Sequence, residues 1–370
     1  ASPAAMPRCW PRQRRRPPAS AIDPTDHAAN FGAFLEARPD GAPFFFWFGS
    51  KEPHRGYDKG SGLRAGKDPA GITVPPFLPD VPEVRNDLLD YIVEVEDFDA
   101  QLGAILSRIE AAGELDNTII VVTSDNGMPF PRAKANLYEY GTCVPLAIRW
   151  GASGIAGKQS DALIGFIDFA PAFLEAAGLQ IPDTMTGHSF LGLIRNGDAV
   201  PQRTEVQTGR ERHTHARFDN LGYPSRALRT QDYLYIHNFK PDRWPAGDPD
   251  EYHDIDASPT KSFMMEHRQE FPRLFDLAVG RRPAEELFDI RKAPACMENL
   301  AGSSEHASMR DELRERLMTL LRDQGDPRVL GTGDIFESYP RMGAMRPELG
   351  GFAQRGQYNP KYRPASDPAP

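Results

Sequence analysis

Four consecutive β-branched residues, Ile119-Ile120-Val121-Val122, run straight into Thr123-Ser124-Asp125-Asn126-Gly127. The apolar run is short, unbroken and bounded by Asn117 and Gly127, which predicts a buried strand of a parallel sheet rather than a helical turn. Asp125 and Asn126 then fall just past the carboxyl end of that strand, where open α/β sheets hold their ligands. A carboxylate beside an amide carbonyl offers hard oxygen donors suited to Ca²⁺ or Mg²⁺. The competing reading is an Asp-Asn-Gly turn that simply closes the strand.

A chain of 370 residues with 40% apolar content can bury one large domain and a smaller one. Its net charge of −9 argues against nucleic acid or an anionic membrane as partner. No stretch approaches the roughly 20 apolar residues of a membrane span. Cys9, Cys143 and Cys296 show neither a disulfide framework nor metal-type spacing. Arg8, Arg12, Arg14, Arg15 and Arg16 crowd a Pro-rich N-terminus with no apolar core behind the charges, so no signal peptide is read there and the compartment stays open. Oligomeric state is equally open.

The expected organisation is an irregular basic tail over 1–22, an α/β domain over 23–225, a smaller α+β domain over 226–335, and an irregular Gly/Pro/Arg-rich tail over 336–370. Pro43-Phe44-Phe45-Phe46-Trp47-Phe48 is a second central-strand pattern, ended by Gly49. Leu88, Ile92, Val95, Phe98, Leu102, Ile105, Leu106 and Ile109 recur at three- and four-residue steps and predict one helix from Val84 to Ala112. Val144 to Trp150 reads as a strand, Ala170 to Ala177 as a helix, and Asp311 to Arg322 as an amphipathic helix. From about Thr204 the pattern turns to short β-type runs such as Leu234-Tyr235-Ile236-His237.

Chemistry concentrates in four places. Asp125-Asn126 is the first. Lys134, nine residues after Asp125, could grip an anionic group beside a hard cation, or simply be a solvated lysine. His54, in Glu52-Pro53-His54-Arg55 after the Phe-rich run, can hydrogen-bond a substrate oxygen or pass a proton to a leaving group; a loop histidine holding a turn is the alternative. Arg210 and Arg212, on one face of a strand-like alternation, could line an anion pocket or lie on an exposed strand end.

Ser124-Asp125-Asn126-Gly127-Met128-Pro129-Phe130-Pro131, followed by Asn136-Leu137-Tyr138 and Gly141-Thr142, resembles the sulfatases, most of all their sulfamidase-like branch. The Phe-rich run with Glu52-Pro53-His54-Arg55, then Val74-Pro75-Pro76-Phe77-Leu78-Pro79, agree in order. So does Glu286-Leu287-Phe288-Asp289-Ile290 through Glu298-Asn299-Leu300-Ala301, and the likeness extends over about residues 40–325. The resemblance implies an alkaline-phosphatase-like α/β sandwich with a mostly parallel central sheet and a smaller C-terminal α+β domain. It implies a hydrolase of sulfuric esters or sulfamates, with a sulfated small molecule or glycan as partner and one divalent cation, usually Ca²⁺. Carried over by position, Asp125 and Asn126 are metal ligands, while Lys134 and His54 contact the sulfate, His54 also serving the leaving group.

The pattern also breaks. The family needs an early Asp-Asp pair and a cysteine in Cys-x-Pro-x-Arg, oxidised to formylglycine as nucleophile. Cys9-Trp10-Pro11-Arg12-Gln13 puts Gln13 where that arginine belongs, and no Thr-Gly follows. The expectation is therefore an N-terminally incomplete sulfatase fold with no nucleophile in this chain and no activity alone. Two alternatives stand beside it: a non-catalytic binder of sulfated glycans, and a phosphodiesterase or phosphonate hydrolase of the same superfamily.

Overall fold

In the computed structural model, the described residues are 13–349 apart from 154, 198–202, 250, 340, 342–345, 347 and 348. The helices are α1 (His27–Ala37), α2 (Ser61–Arg64), α3 (Pro82–Ala111), α4 (Glu139–Thr142), α5 (Phe169–Ala176), α6 (Leu191–Asn196), α7 (Pro259–Glu266), α8 (Pro272–Val279) and α9 (Ala307–Asp323). The strands are β1 (Ile120–Thr123), β2 (Leu146–Arg149), β3 (Glu205–Arg210), β4 (Ser225–Thr230), β5 (Tyr233–Asn238) and β6 (Glu285–Asp289). The chain is thus α/β, with helices and a two-stranded ribbon first and a four-stranded sheet with further helices after it.

The strand pairing departs from the sequence expectation. Among the described residues every ladder is antiparallel: β1 with β2, then a four-stranded sheet in the order β3-β4-β5-β6. A parallel partner for β1 would need a crossover that carries the chain back to its starting edge. Here the link folds on itself instead, because Gly127 N–H donates to the Gly141 carbonyl at 3.0 Å. The chain then re-enters β2 in the opposite direction, with Ile120 facing Arg149 and Thr123 facing Leu146. The Phe-rich run is extended but joins no ladder among the described residues. Phe44, Phe46 and Phe48 pack on α1 and α3 around Phe31, Ile105 and Ile109, while Phe45 and Trp47 point outward. That is the period-two alternation of a strand without its hydrogen-bonded neighbour.

Helix α3 forms where the spacing predicts it, starting on Pro82, whose fixed φ and missing N–H suit the first turn. Its buried stripe is not wholly the apolar one. Leu88, Ile105 and Ile109 are inside as expected, but Val95 is exposed, and Asp87, Asp90, Glu94, Asp97 and Gln101 are buried. Polar neighbours meet most of these groups. Asp90 accepts from the Gly60 and Gly62 N–H groups at 2.8 Å, Gln101 accepts from Ala28 N–H at 3.1 Å, and Asp97 pairs with Arg15. The expected loose basic tail is accordingly docked where it is described. Arg14 bridges Thr25, and Ile22 is buried against Val93.

The β3–β6 sheet is covered on both faces. Leu313, Leu317 and Leu321 of α9 close over Leu228, Tyr235 and Leu287 on one side. Leu137, Tyr138 and Cys296 close over Ala227, Leu234, Ile236 and Phe288 on the other. The expected division after residue 225 falls behind the first residue of β4, which is hydrogen-bonded to β3 from Glu205–Thr230 to Arg210–Ser225. The sheet begins at Glu205, where the sequence pattern changes. A third core joins the two regions: Phe77, Val84, Leu88 and Phe130 pack with Tyr252, Ile255, Met264 and Val279. Phe130 belongs to the Asp-Asn-Gly loop, so this core seats that loop directly.

Candidate active site

Glycine is required where the Asp-Asn-Gly turn meets the following segment. A Cβ on Gly127 would lie 1.7 Å from the Tyr140 carbonyl oxygen, and one on Gly141 would lie 2.4 Å from that of Asn136. The close approach lets Lys134 N–H donate to the Met128 carbonyl at 3.1 Å, so Lys134 rises from the same loop as Asp125 and Asn126. Arg132 and Ala135 on either side of it hold left-handed backbone, at φ 65° and 61°. Such residues cost of order 1–3 kcal/mol and persist where surroundings fix them. Arg132 supplies the fixing. Its guanidinium is buried, donates to the Leu277 carbonyl at 2.8 Å and to that of Cys296, and lies 4.0 Å over the Tyr138 ring.

Lys134 Nζ reaches two groups far away in sequence. It lies 2.8 Å from Asp256 Oδ2 and 3.4 Å from His54 Nε2. His54 Nδ1 is 3.0 Å from the Arg55 carbonyl, which can only accept. Nδ1 therefore carries the hydrogen, and Nε2 presents its lone pair to the lysine. Arg55 aims that histidine. It donates from Nε to the Pro129 carbonyl at 2.9 Å and forks onto the buried Asp87 of α3, and its plane lies 4.3 Å from the Phe130 ring. Thr260 Oγ1 donates to the same Asp87 at 2.6 Å, tying α7 into the arrangement. Three chain regions thus converge on the ammonium group of Lys134.

Asp125 is exposed, and its carboxylate makes no hydrogen bond or ion pair among the described residues. Asn126 is half-buried and its amide nitrogen donates to the Gly127 carbonyl at 2.8 Å, which leaves Oδ1 for a cation. Two hard donors suit a divalent ion but do not close a site that prefers six to eight oxygens. Among the described residues no group of three or more His, Cys, Asp or Glu is placed to hold a metal.

Arg210 and Arg212 do not join Lys134. Arg210 is buried beside Arg217, both donating to Asp254 Oδ2, at 2.8 and 2.6 Å. Burial pushes the Asp254 carboxyl up, but Arg217 and Arg210 outweigh it and hold it well below the usual carboxylate range. Arg212 pairs with Glu337 at 3.4 Å. The link to the site is indirect: Asp254 and Asp256 stand two residues apart, one holding the arginines and the other holding Lys134. Cys143 is exposed with its thiol pushed up by burial of the sulfur and by Glu139, and Cys296 is buried and pushed up to about 12 by burial. Neither has the setting of an activated thiolate. Cys9 lies outside the described residues.

Sequence reasoning singled out Lys134 and His54, which the structure brings together, but not Arg55, Asp87 and Asp256, which surround them. The neighbouring Pro-His-Arg was a usable signal for Arg55. Asp256 sits in a Pro/Asp/Gly-rich stretch that carries none.

The α/β framework thus brings Lys134, His54 and Asp256 together, with Asp125 and Asn126 on the same loop as the lysine. Comparison narrows this. The sulfatase family profile matches residues 11–179, and that of the N-sulphoglucosamine sulphohydrolase C-terminal region matches 132–274. The chain belongs to the sulfatase family. It is 30% identical over 280 residues to an ulvan-active sulfatase of Formosa agariphila, covering 71% of this chain and 43% of that protein. It is 27% identical over 345 residues to human N-sulphoglucosamine sulphohydrolase, covering 82% of this chain and 65% of that one. The chain thus spans about half the length of these curated relatives. Among solved structures, the yidJ protein of Bacteroides fragilis superposes with a TM-score of 0.59 at 21% identity, over 82% of this chain and 59% of that one, which supports the fold.

Proposed function

We infer that this chain supplies the sulfate-gripping part of a sulfatase acting on O- or N-sulfated sugars. The observation that carries this reading is the 3.4 Å approach of Lys134 Nζ to His54 Nε2 across 80 residues of sequence. A tetrahedral anion needs a fixed positive group and a hydrogen-bonding partner on the side of the departing atom. Lys134 provides the charge, and Asp256 keeps the ammonium group aimed at the histidine. His54, held by Arg55, serves the departing oxygen or nitrogen in its protonated form, when Nε2 also carries a hydrogen to donate. Asp125 and Asn126 suit two of the ligands of a divalent cation, Ca²⁺ by family resemblance, which when bound would neutralise the sulfate oxygens. On this reading the nucleophile is not among the residues assigned here, and the expectation is that this chain alone grips sulfate without turning it over. The names of its relatives, an ulvan-active sulfatase and an N-sulphoglucosamine sulphohydrolase, favour a sulfated sugar.

The test uses the chain as it stands, with glucosamine N-sulfate as probe. Calorimetric binding is expected in the presence of calcium, weakened about tenfold or more in Lys134→Ala, as loss of one charge-assisted contact requires. Hydrolysis of an aryl sulfate is expected at the blank rate. Binding indifferent to Lys134 removes the sulfate-gripping role. Turnover that vanishes in Asp125→Ala places a nucleophile within the chain and overturns the expectation of inactivity.

A further inference from the structure

A small cavity lies behind the Lys134 loop, between that loop and the β3–β6 sheet. Its volume is about 20 Å³, and Tyr138, Arg210, Tyr223, Arg282, Asn238 and Glu286 are in its wall. Space of this size takes one occupant of roughly water dimensions, not a tetrahedral oxyanion.

The wall is rich in unmatched donors. Arg210 Nε, Arg282 Nε and the Tyr223 hydroxyl are buried and have no hydrogen-bond partner among the described residues. All three side chains are deeply enclosed: Arg210 is 9% exposed, Arg282 8% and Tyr223 3%. The acceptors are already engaged. Glu286 takes the Tyr138 hydroxyl on one oxygen and the Asn238 amide on the other, both at 2.8 Å. Charge is unmatched too. Asp254 serves two guanidinium groups, Arg210 and Arg217, and among the described residues Arg282 donates to the carbonyls of Asp276 and Leu277 alone. Four cations, Arg210, Arg217, Arg282 and Arg132 stacked on Tyr138, therefore stand against three carboxylates, Asp254, Glu286 and Asp276.

Leaving three buried donors and an excess cation uncompensated is unfavourable, since each group has lost its water without gaining a partner. A water has two lone pairs for three donors and brings no charge. A halide accepts all three and lowers the excess charge by one. We propose that this cavity binds a small monovalent anion of halide size, held by Arg210, Arg282 and Tyr223. Its position makes it structural: the anion sits between the strand that carries Arg210 and the segment that follows Lys134, and fastens the active-site loop to the sheet.

The experiment is thermal unfolding of the full chain in sodium chloride or bromide against sodium gluconate at equal ionic strength. A saturable rise of Tm in halide is expected, with broadening of the chlorine NMR line on adding protein. Tyr223→Phe preserves the ring and removes one donor, and should lose most of the halide-dependent rise. Bromide-soaked crystals of the unaltered chain should show an anomalous peak between the three side chains, which keeps the test independent of how well the variant folds. Equal Tm in halide and gluconate with a sharp chlorine line overturns the proposal. A halide effect that survives Tyr223→Phe, or a bromide peak elsewhere, also overturns it.

Discussion

The C-terminal sheet and the N-terminal apolar layer start from similar sequence material and end in different states. In β4, β5 and β6 the aliphatic and aromatic positions are inside, with Leu228, Tyr235 and Leu287 each 0% exposed. In the Phe44–Phe48 segment every second residue faces solvent, Phe45 at 72% and Trp47 at 80%. The difference is coverage. Leucines of α9 lie on one face of the C-terminal sheet and the Lys134 loop lies on the other, whereas α1 and α3 cover one face of the Phe-rich run and the other is met at Phe45 by the Phe173 ring of α5, 6.3 Å between centroids, with Trp47 left open. An apolar run therefore reports a capacity to be buried, and the elements packed against it decide whether both faces are used.

The largest effect expected from this contrast is at the covered sheet. Leu317 of α9 is fully buried over β4, β5 and β6. Leu317→Ala removes its methyl groups and leaves a cavity that the sheet cannot collapse into. A loss of about 3 kcal/mol, within the 2–5 kcal/mol range of such truncations, is expected in denaturant unfolding. A loss below about 1 kcal/mol would mean that α9 is not tightly seated, and the contrast with the open layer would fail.

A second effect separates the two regions by pH. On the inward face of α3, Asp87, Asp90 and Asp97 have donors, while Glu94 is 3% exposed and has no hydrogen bond or ion pair among the described residues. Burial, reinforced by Glu52 and Asp97, raises its carboxyl from the ordinary 4.5 to about 7. The folded chain then binds a proton that the unfolded chain has released. Stability is lost as pH rises from about 4.5 to about 7 and stays level above that. Glu94→Gln keeps the shape without the charge. It should stabilise the protein at pH 8 by up to about 3 kcal/mol and leave it unchanged near pH 4. A gain of the same size at both pH values would show that packing, not ionisation, sets the difference.

Much of this architecture was legible in the sequence because local periodicity and turn chemistry are local. The three-four spacing gave α3 to within two residues, and Asp125-Asn126-Gly127 marked the loop on which Lys134 sits. What could not be read was which way polar side chains of α3 would face. Asp87 and Asp90 turn inward because Arg55, Thr260 and the Gly60–Gly62 backbone meet them there, and those partners are brought by tertiary folding. The direction of β2 was equally hidden, since it depends on the Gly127–Gly141 contact rather than on either strand. At the site, Lys134 and His54 stood out through chemistry near strand ends. Asp256 did not, because an aspartate in a polar stretch carries no sign of the lysine it will meet 122 residues away.

The smallest expected effect is the most direct test of the open layer. Trp47 is 80% exposed, and the ring makes little contact that folding would recover. Trp47→Ser should change unfolding free energy by no more than about 0.5 kcal/mol, as for surface positions generally. It removes a large apolar group from a patch that also holds Phe45, so binding of a hydrophobic dye such as ANS should fall. The paired result matters more than either alone. If Trp47→Ser costs as much as Leu317→Ala, the indole is covered in solution, and sedimentation of the unaltered chain should then show a second copy upon it. If the cost is near zero and dye binding drops, the Phe-rich run has one buried face and one open face, and the comparison with the closed C-terminal sheet holds in energy as well as in geometry.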